Sequence, residues 1–157
     1  MTEPVDAIVI RPLKAADVDQ LIAFSLRMAQ VPAWPRETYE AILDAGFPRR
    51  IALVAEEKDQ EEVAGVVVAV VVSPESELEL IAVAPEWQRR GVARRLFGEL
   101  RARLSSEGVT KVLLEVRESN QGAREFYRTL GFGETGRRVR YYADPVEDAV
   151  QMKFDMA

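Results

Sequence analysis

The feature that most constrains this chain is the order of three neighbouring segments. Leu78 to Ala84 is an apolar run that reads as a strand, and Pro85 stops it. Gln88-Arg89-Arg90-Gly91-Val92-Ala93 follows and opens a segment with Phe97, Leu100 and Leu104 on one helical face. Gly108 ends that helix, and Thr110 to Arg117 reads as another strand. Two strands joined by such a crossover helix should run parallel and lie side by side. The start of the helix is also a place to hold phosphate. Its first N–H groups have no internal partner, and the helix dipole favours an anion there. Gly91 has no Cβ and lets a ligand approach the backbone closely. Arg89, Arg90, Arg94 and Arg95 are placed to add charge-assisted contacts to phosphate oxygens.

The rest of the chain extends this unit. Ala7 to Arg11 alternates weakly and predicts a first strand. Ala15 to Ala29 has helical spacing through Val18, Leu21, Ile22 and Leu26, and Pro32 and Pro35 separate it from a second helix, Arg36 to Ala45, with Gly46 at the C-terminal cap. Arg50 to Glu56 and Val63 to Ser73 are strands joined through the acidic turn Glu57 to Glu62. The turn from Ser73 to Ser76 leads into the fourth strand, Glu77 to Ala84. After the crossover helix (Gly91 to Ser106) and the fifth strand come a fourth helix, Asn120 to Leu130, capped by Gly131, and two last strands, Phe132 to Val139 and Ala149 to Asp155. The order βααβββαβαββ predicts an α/β (α+β) fold. Its mixed, mostly antiparallel sheet of about seven strands has one parallel pair, the fourth and fifth, and is flanked by four helices. With 157 residues, residues 1–157 are expected to form a single domain.

Composition narrows the chemistry. The chain has no cysteine and no histidine. Thiol chemistry, a Ser-His-Asp triad and the usual ligands of zinc or iron are therefore absent, and no metal is expected. Any catalysis falls to carboxylates, tyrosine, hydroxyls, lysine or backbone groups. Net charge is −5, but residues 89–140 carry a local net of +7 and the remainder −12. The central segment is the place for an anion, and the acidic remainder suits a basic partner. No stretch approaches the roughly 20 apolar residues of a membrane span, and the N-terminus lacks the basic region and apolar core of a signal peptide. A cytoplasmic protein without a membrane partner is expected. Nucleic-acid binding is not expected, because the chain is acidic overall and shows no groove-reading motif.

Gln88-Arg89-Arg90-Gly91-Val92-Ala93, lying between a strand and a helix, resembles the Gln/Arg-x-x-Gly-x-Gly/Ala loop of the GNAT superfamily of N-acetyltransferases. A second block, Leu114-Glu115-Val116-Arg117-Glu118-Ser119-Asn120 followed by Ala123, Tyr127 and Leu130-Gly131-Phe132, is similar to that superfamily's second motif. Within it the chain resembles most the bacterial ribosomal-protein alanine N-acetyltransferases, to which Arg140-Tyr141-Tyr142 and Glu147-Asp148-Ala149 are also similar. The likeness is good over residues 78–152 and weaker before residue 50, where Ala33-Trp34-Pro35 only approximates a Phe-Pro-Trp order.

The resemblance implies acetyl-CoA as donor. Ile81, Ala82 and Val83 would present main-chain groups to its pantetheine arm, as a strand does to a peptide. Gln88, Arg89, Arg90, Gly91, Val92, Ala93 and Arg94 would cradle the pyrophosphate, and Asn120 would bond the arm. It also implies Glu115 as base, acting directly or through water, and Tyr127 as acid near sulfur. From spacing alone these residues have plainer readings. Glu115 is an exposed charge paired with Arg117 or Lys111, Tyr127 is a core tyrosine, and Asn120 is a helix N-cap. With no cysteine, transfer should be direct, in a ternary complex.

The acceptor implied by the resemblance is the N-terminal alanine of a basic ribosomal protein. Other amines, including lysine, and a silent acyl-CoA-binding module stay open as alternatives. An α-amine has a pKa of about 7.7–8.0 and lysine one of about 10.4, so freeing lysine of its proton costs about 3.5 kcal/mol more at neutral pH. That favours an α-amine for an enzyme without histidine. Tyr141 and Tyr142 on one side, and Trp34 and Tyr39 on the other, are candidate walls of an acceptor groove. Glu75, Glu77 and Glu79 are candidates to attract a basic tail.

Overall fold

The computed structural model describes residues 7–28 and 31–156. One seven-stranded sheet forms the centre, with strand order β1-β2-β3-β4-β5-β7-β6. Its strands are β1 (Ile8–Pro12), β2 (Arg50–Glu57), β3 (Glu62–Val72), β4 (Glu75–Val83), β5 (Lys111–Arg117), β6 (Gly133–Tyr142) and β7 (Glu147–Asp155). Four helices accompany it: α1 (Val18–Arg27), α2 (Arg36–Leu43), α3 (Val92–Ser106) and α4 (Gln121–Leu130). All pairings are antiparallel except that of β4 with β5, which is parallel as the crossover requires. No helix among the described residues is long and apolar enough to cross a membrane.

The middle of β3 is buried from Val63 to Ala69, so this strand reads as a continuous apolar run with little alternation. α3 covers β1 to β4 with Leu96, Leu100 and Leu104, all fully buried. Each is worth roughly 1.5–3 kcal/mol of transfer free energy. Gly65 allows this close approach, since a Cβ there would lie 2.9 Å from the Ala82 carbonyl oxygen and 3.1 Å from Leu96. Next to Leu96 on α3, Phe97 packs with Phe132 and Phe154 ring against ring, with centroids 5.1–5.6 Å apart.

Several element ends differ from the sequence reading, each for a local reason. Residues Ala15–Asp17 form a 3₁₀ turn and α1 begins only at Val18. The Asp17 carboxylate folds back to accept the Lys14 N–H at 2.8 Å, which tightens the turn. The expected end of this helix, Ala29, lies outside the described residues. α2 stops at Leu43, and the left-handed residue after it is Ala45 (φ 53°), not Gly46. The Gly46 N–H reaches back to the Ala41 carbonyl and the Ala45 N–H to that of Ile42, closing the helix in a Schellman arrangement. β6 and β7 run closer to their turn than alternation suggests, because pairing resumes at Tyr142 and Glu147 after an irregularity.

A buried charge cluster fastens the sheet edge to α1. Arg11 donates to both oxygens of Asp17 at 2.8 Å and to Glu56 at 3.2 Å. Burial alone would push the Asp17 carboxyl up, but the Arg11 guanidinium and the Lys14 N–H outweigh it and hold the group below its ordinary 3.8. A carboxyl held low in the folded state contributes stability that is present above its unfolded pKa and lost as pH falls through the lower folded value. Asp17→Ala should therefore lower the unfolding free energy by about 3 kcal/mol at neutral pH, since it leaves Arg11 half-compensated in a buried place. Urea unfolding at about pH 7 and again at about pH 3 should show the deficit shrinking in acid.

Candidate active site

β4 and β5 pair only through Glu75–Lys111, Ser76–Val112 and Glu77–Leu113, then part company, although β4 continues to Val83 and β5 to Arg117. A bulge marks the parting. Val68 of β3 faces Leu80 and Ala69 faces Leu78, so Glu79 is an extra residue on β4. Such a bulge bends its strand and increases the twist. Beside the fork lies a cavity of about 720 Å³, lined by the end of β4, the turn before α3 and the inner face of α4.

Ten of the eleven positions selected from the sequence for cofactor contact line this cavity, and Tyr127 joins them. Arg90 is the one that does not, for its guanidinium stacks 4.8 Å from the Trp87 ring centre. The arginine cluster thus divides. Arg89 and Arg94 face the cavity, whereas Arg95 donates to the Ile8 carbonyl at 3.1 Å and ties α3 to β1. Arg89 (φ 63°) and Gly91 (φ 81°) both take left-handed backbone in the turn. Successive turns of this kind make a concavity of N–H groups suited to an anion. The N-cap residue of α3, Gly91, offers no side-chain cap, and the first helical bond is from the Arg95 N–H to the Gly91 carbonyl at 3.1 Å. The N–H groups of Val92, Ala93 and Arg94 are therefore left without helical partners. Gln88 turns its side chain back, donating from Nε2 to the Val83 carbonyl at 2.9 Å, and so fastens the turn to β4.

Asn120 caps α4, its Oδ1 accepting the Ala123 N–H at 3.1 Å. The cap uses the oxygen and leaves the amide NH₂ group for a second partner. Tyr127 packs between Phe126 and Phe132, with ring centres 5.5 and 5.9 Å away. Burial pushes its phenol above the ordinary value of 10, and Tyr142 adds to the shift. At neutral pH the Tyr127 hydroxyl keeps its proton.

Glu115 lies across the sheet from this cavity. Val112, Leu114 and Val116 of β5 are buried beside Phe154, Met152 and Val150 of β7, so alternation turns Leu113, Glu115 and Arg117 to the opposite face. Its Oε1 pairs with Arg138 Nε at 3.0 Å. Its Oε2 is buried and has no hydrogen-bond partner among the described residues. The pairing of Glu115 with Arg117 or Lys111 suggested by spacing does not form. Arg117 instead bonds Glu147 and the carbonyls of Ala143 and Pro145, and lies 4.4 Å from the Tyr142 ring centre. It thereby braces the turn carrying Tyr141 and Tyr142. Partial burial pushes the Tyr142 phenol up, and the Glu115 charge adds to this. On the neighbouring strand, partial burial raises the Glu77 carboxyl above 4.5, reinforced by Glu79 and Glu115 and opposed by Arg138.

One sequence-based assignment changes here. Tyr39 has no exposed surface and packs 5.7 Å from Trp34, so it belongs to the core and cannot wall a groove. Trp34 remains half-buried on that side, beneath Arg50, which in turn bonds Glu79 at 2.7 Å. Arg138 was not legible as a site residue. Its reach past β7 to Glu115 depends on the register of β6 against β7, which a run of mixed polar residues does not announce.

The chain matches the family model described as Acetyltransferase (GNAT) family over residues 18–132. It is 32% identical over 147 residues to the [ribosomal protein bS18]-alanine N-acetyltransferase of Haemophilus influenzae, covering 92% of this chain and 96% of that protein. The enzyme of the same name from Salmonella typhimurium is 42% identical over 94 residues, or 59% of this chain; the chain spans 64% of that relative's length. Among solved structures, the ribosomal-protein-S18-alanine N-acetyltransferase from Escherichia coli superposes with a TM-score of 0.77 at 30% identity, covering 96% of this chain and 94% of that one.

The division of the arginines makes a direct forecast. Replacing Arg89 and Arg94 with alanine should weaken binding of a pyrophosphate-bearing ligand such as CoA by about tenfold for each residue at low ionic strength, and by less as salt rises. Arg95→Ala should leave that affinity within about twofold and instead lower the thermal midpoint, because its loss leaves the Ile8 carbonyl without this donor. Isothermal titration and thermal melts of the variants separate the two outcomes.

Proposed function

Because the chain belongs to the acetyltransferase (GNAT) family, we propose that it transfers the acetyl group of acetyl-CoA to the α-amine of a protein N-terminus, with alanine at the first position and a basic ribosomal protein as the acceptor. The observation that carries this reading is the fork between β4 and β5. It sets a cavity with uncapped helical N–H groups and two arginines on one side of the sheet, and a carboxylate with an unpartnered oxygen on the other.

The cavity suits the donor on four counts. The edge of β4 at Ile81–Val83 carries no strand partner from β5 and offers main-chain groups to an amide-bearing arm. Arg89, Arg94 and the N–H groups opening α3 would hold the pyrophosphate. The Asn120 amide would bond the arm while its oxygen keeps the cap. Tyr127 lines the same space. Bound there, acetyl-CoA supplies an acyl group activated as a thioester.

The chain's own residues then divide the proton work. A new C–N bond forms as the C–S bond breaks, so one proton must leave nitrogen and one must reach sulfur. Glu115 Oε2 takes the amine proton, directly or through one water. Tyr127, kept neutral by burial, gives a proton on the cavity side. With no cysteine in the chain, transfer is direct and passes through no thiol-bound acyl group. Glu77, Glu79 and Glu115 give the acceptor face a negative character that suits a basic tail. The names of the Haemophilus and Salmonella relatives support alanine as the acceptor residue.

Incubation with acetyl-CoA and a panel of peptides should add one acetyl group to the α-amine of those starting with alanine, fastest where basic residues follow. Mass spectrometry would locate it. Equal rates on lysine side chains of N-terminally blocked peptides would refute the α-amine preference. Tyr127→Phe should lower kcat by about 100-fold while CoA affinity changes by less than about twofold. Undiminished turnover in that variant would remove Tyr127 from the reaction.

A further inference from the structure

Glu115 has two oxygens in contrasting situations. Oε1 pairs with Arg138 at 3.0 Å, whereas Oε2 is buried with no hydrogen-bond partner among the described residues. A buried carboxylate oxygen without a partner is costly, and a native fold keeps one only where something holds it there. Arg138 is that something, and it arrives by an irregular route. Arg138 pairs with Ala149 of β7, but the next pair is Tyr142 with Glu147, so the strand bulges between them. Arg140 takes left-handed backbone (φ 53°) in the bulge, and its N–H donates to Asp148 at 2.9 Å. Bulges re-aim side chains. A further register shift, between Glu134 and Gly136, precedes Arg138 and sets its phase on the strand, and Arg138 and Tyr142 both act on Glu115.

We propose that Arg138 is a positioning residue, pinning one oxygen of Glu115 so that the other is presented to the acceptor amine or to a water that relays its proton. The inference rests on the reading of Glu115 as base. Arg138 lies over the Tyr141 ring, 5.2 Å from its centre, so its own placement is supported from the turn side. The other groups acting in this neighbourhood are Glu77 and Glu79 from β4, Tyr142 from the end of β6 and Arg117 from β5, with Gln151 opposite Glu115 on β7. Arg117 is engaged with Glu147 and the turn carbonyls, which leaves Arg138 as the cation paired with Glu115. A guanidinium suits the task because its planar donors hold an approach direction that an ammonium does not.

Arg138→Gln, Arg138→Lys, Glu115→Gln and the Arg138/Glu115 double variant test this in steady-state kinetics with an alanine-initial peptide. Arg138→Gln should lower kcat by about tenfold with both KM values within about twofold. Arg138→Lys should recover part of kcat. In the Glu115→Gln background, adding Arg138→Gln should cost little more, because the two act as one unit. Full additivity of the two losses, or a loss in Arg138→Gln confined to KM, would overturn the positioning role. Full activity of Glu115→Gln would instead overturn the base assignment itself. An Arg138→Gln enzyme as fast as the parent beside an inactive Glu115→Gln overturns the pin alone. Thermal melts of each variant distinguish these outcomes from loss of fold.

Discussion

Everything distinctive in this molecule depends on a strand pairing that is abandoned partway. β4 and β5 must lie side by side because a crossover helix joins them, and they do so for three residue pairs. Beyond Glu77 and Leu113 the bulge at Glu79 diverts β4, and the sheet opens where it would otherwise close. A continuous ladder would consume the edge N–H and C=O groups of Ile81–Val83 and seal the space next to α4. The parting keeps those groups available and connects two faces that a sheet ordinarily insulates from each other. The close seat of α3 on Gly65 belongs to the same design, since that helix sets the position of the turn that opens it.

The two faces differ in chemical character, and the difference follows from packing. On the cavity face, aromatic rings surround Tyr127 and burial keeps its phenol protonated. On the opposite face, carboxylates from β4 and β5 crowd together, and β6 supplies the compensating cation. A protonated phenol and a carboxylate therefore sit in separate surroundings, each with its own neighbours. In the proposed reaction of a chain without histidine, this separation would do what a single imidazole does elsewhere by changing its own charge.

Much of the architecture was legible because period and punctuation agreed. Pro85, Gly91 and Gly108 bracketed the crossover, and the spacing of Phe97, Leu100 and Leu104 marked the buried face of α3. The cavity positions could be read because they lie on contiguous stretches of chain whose local geometry is set nearby. What escaped was set by register or by helical phase. Arg95 looked equivalent to Arg94, yet one step of about 100° around the helix sends it to β1. Tyr39 looked amphipathic, and only the packing of α2 on β2 shows it fully enclosed. Arg138 lies on a strand exposed almost throughout, where no hydrophobic alternation fixes which side faces the neighbour.

The exposure of β6 has a bearing on how these molecules behave toward one another. It is the last strand of the sheet, ten residues long, and its outer backbone edge has no strand beside it among the described residues. An open margin of that length invites a second chain to add on and begin a fibre. Here the margin carries Arg137, Arg138 and Arg140 in succession and kinks at the bulge. An identical strand approaching in antiparallel fashion would meet like charge against like charge and a ladder out of step. The irregular, arginine-rich strand thus discourages edge-to-edge polymerisation as an accompaniment to its internal ion pairs, and a flatter, less basic β6 would forfeit both.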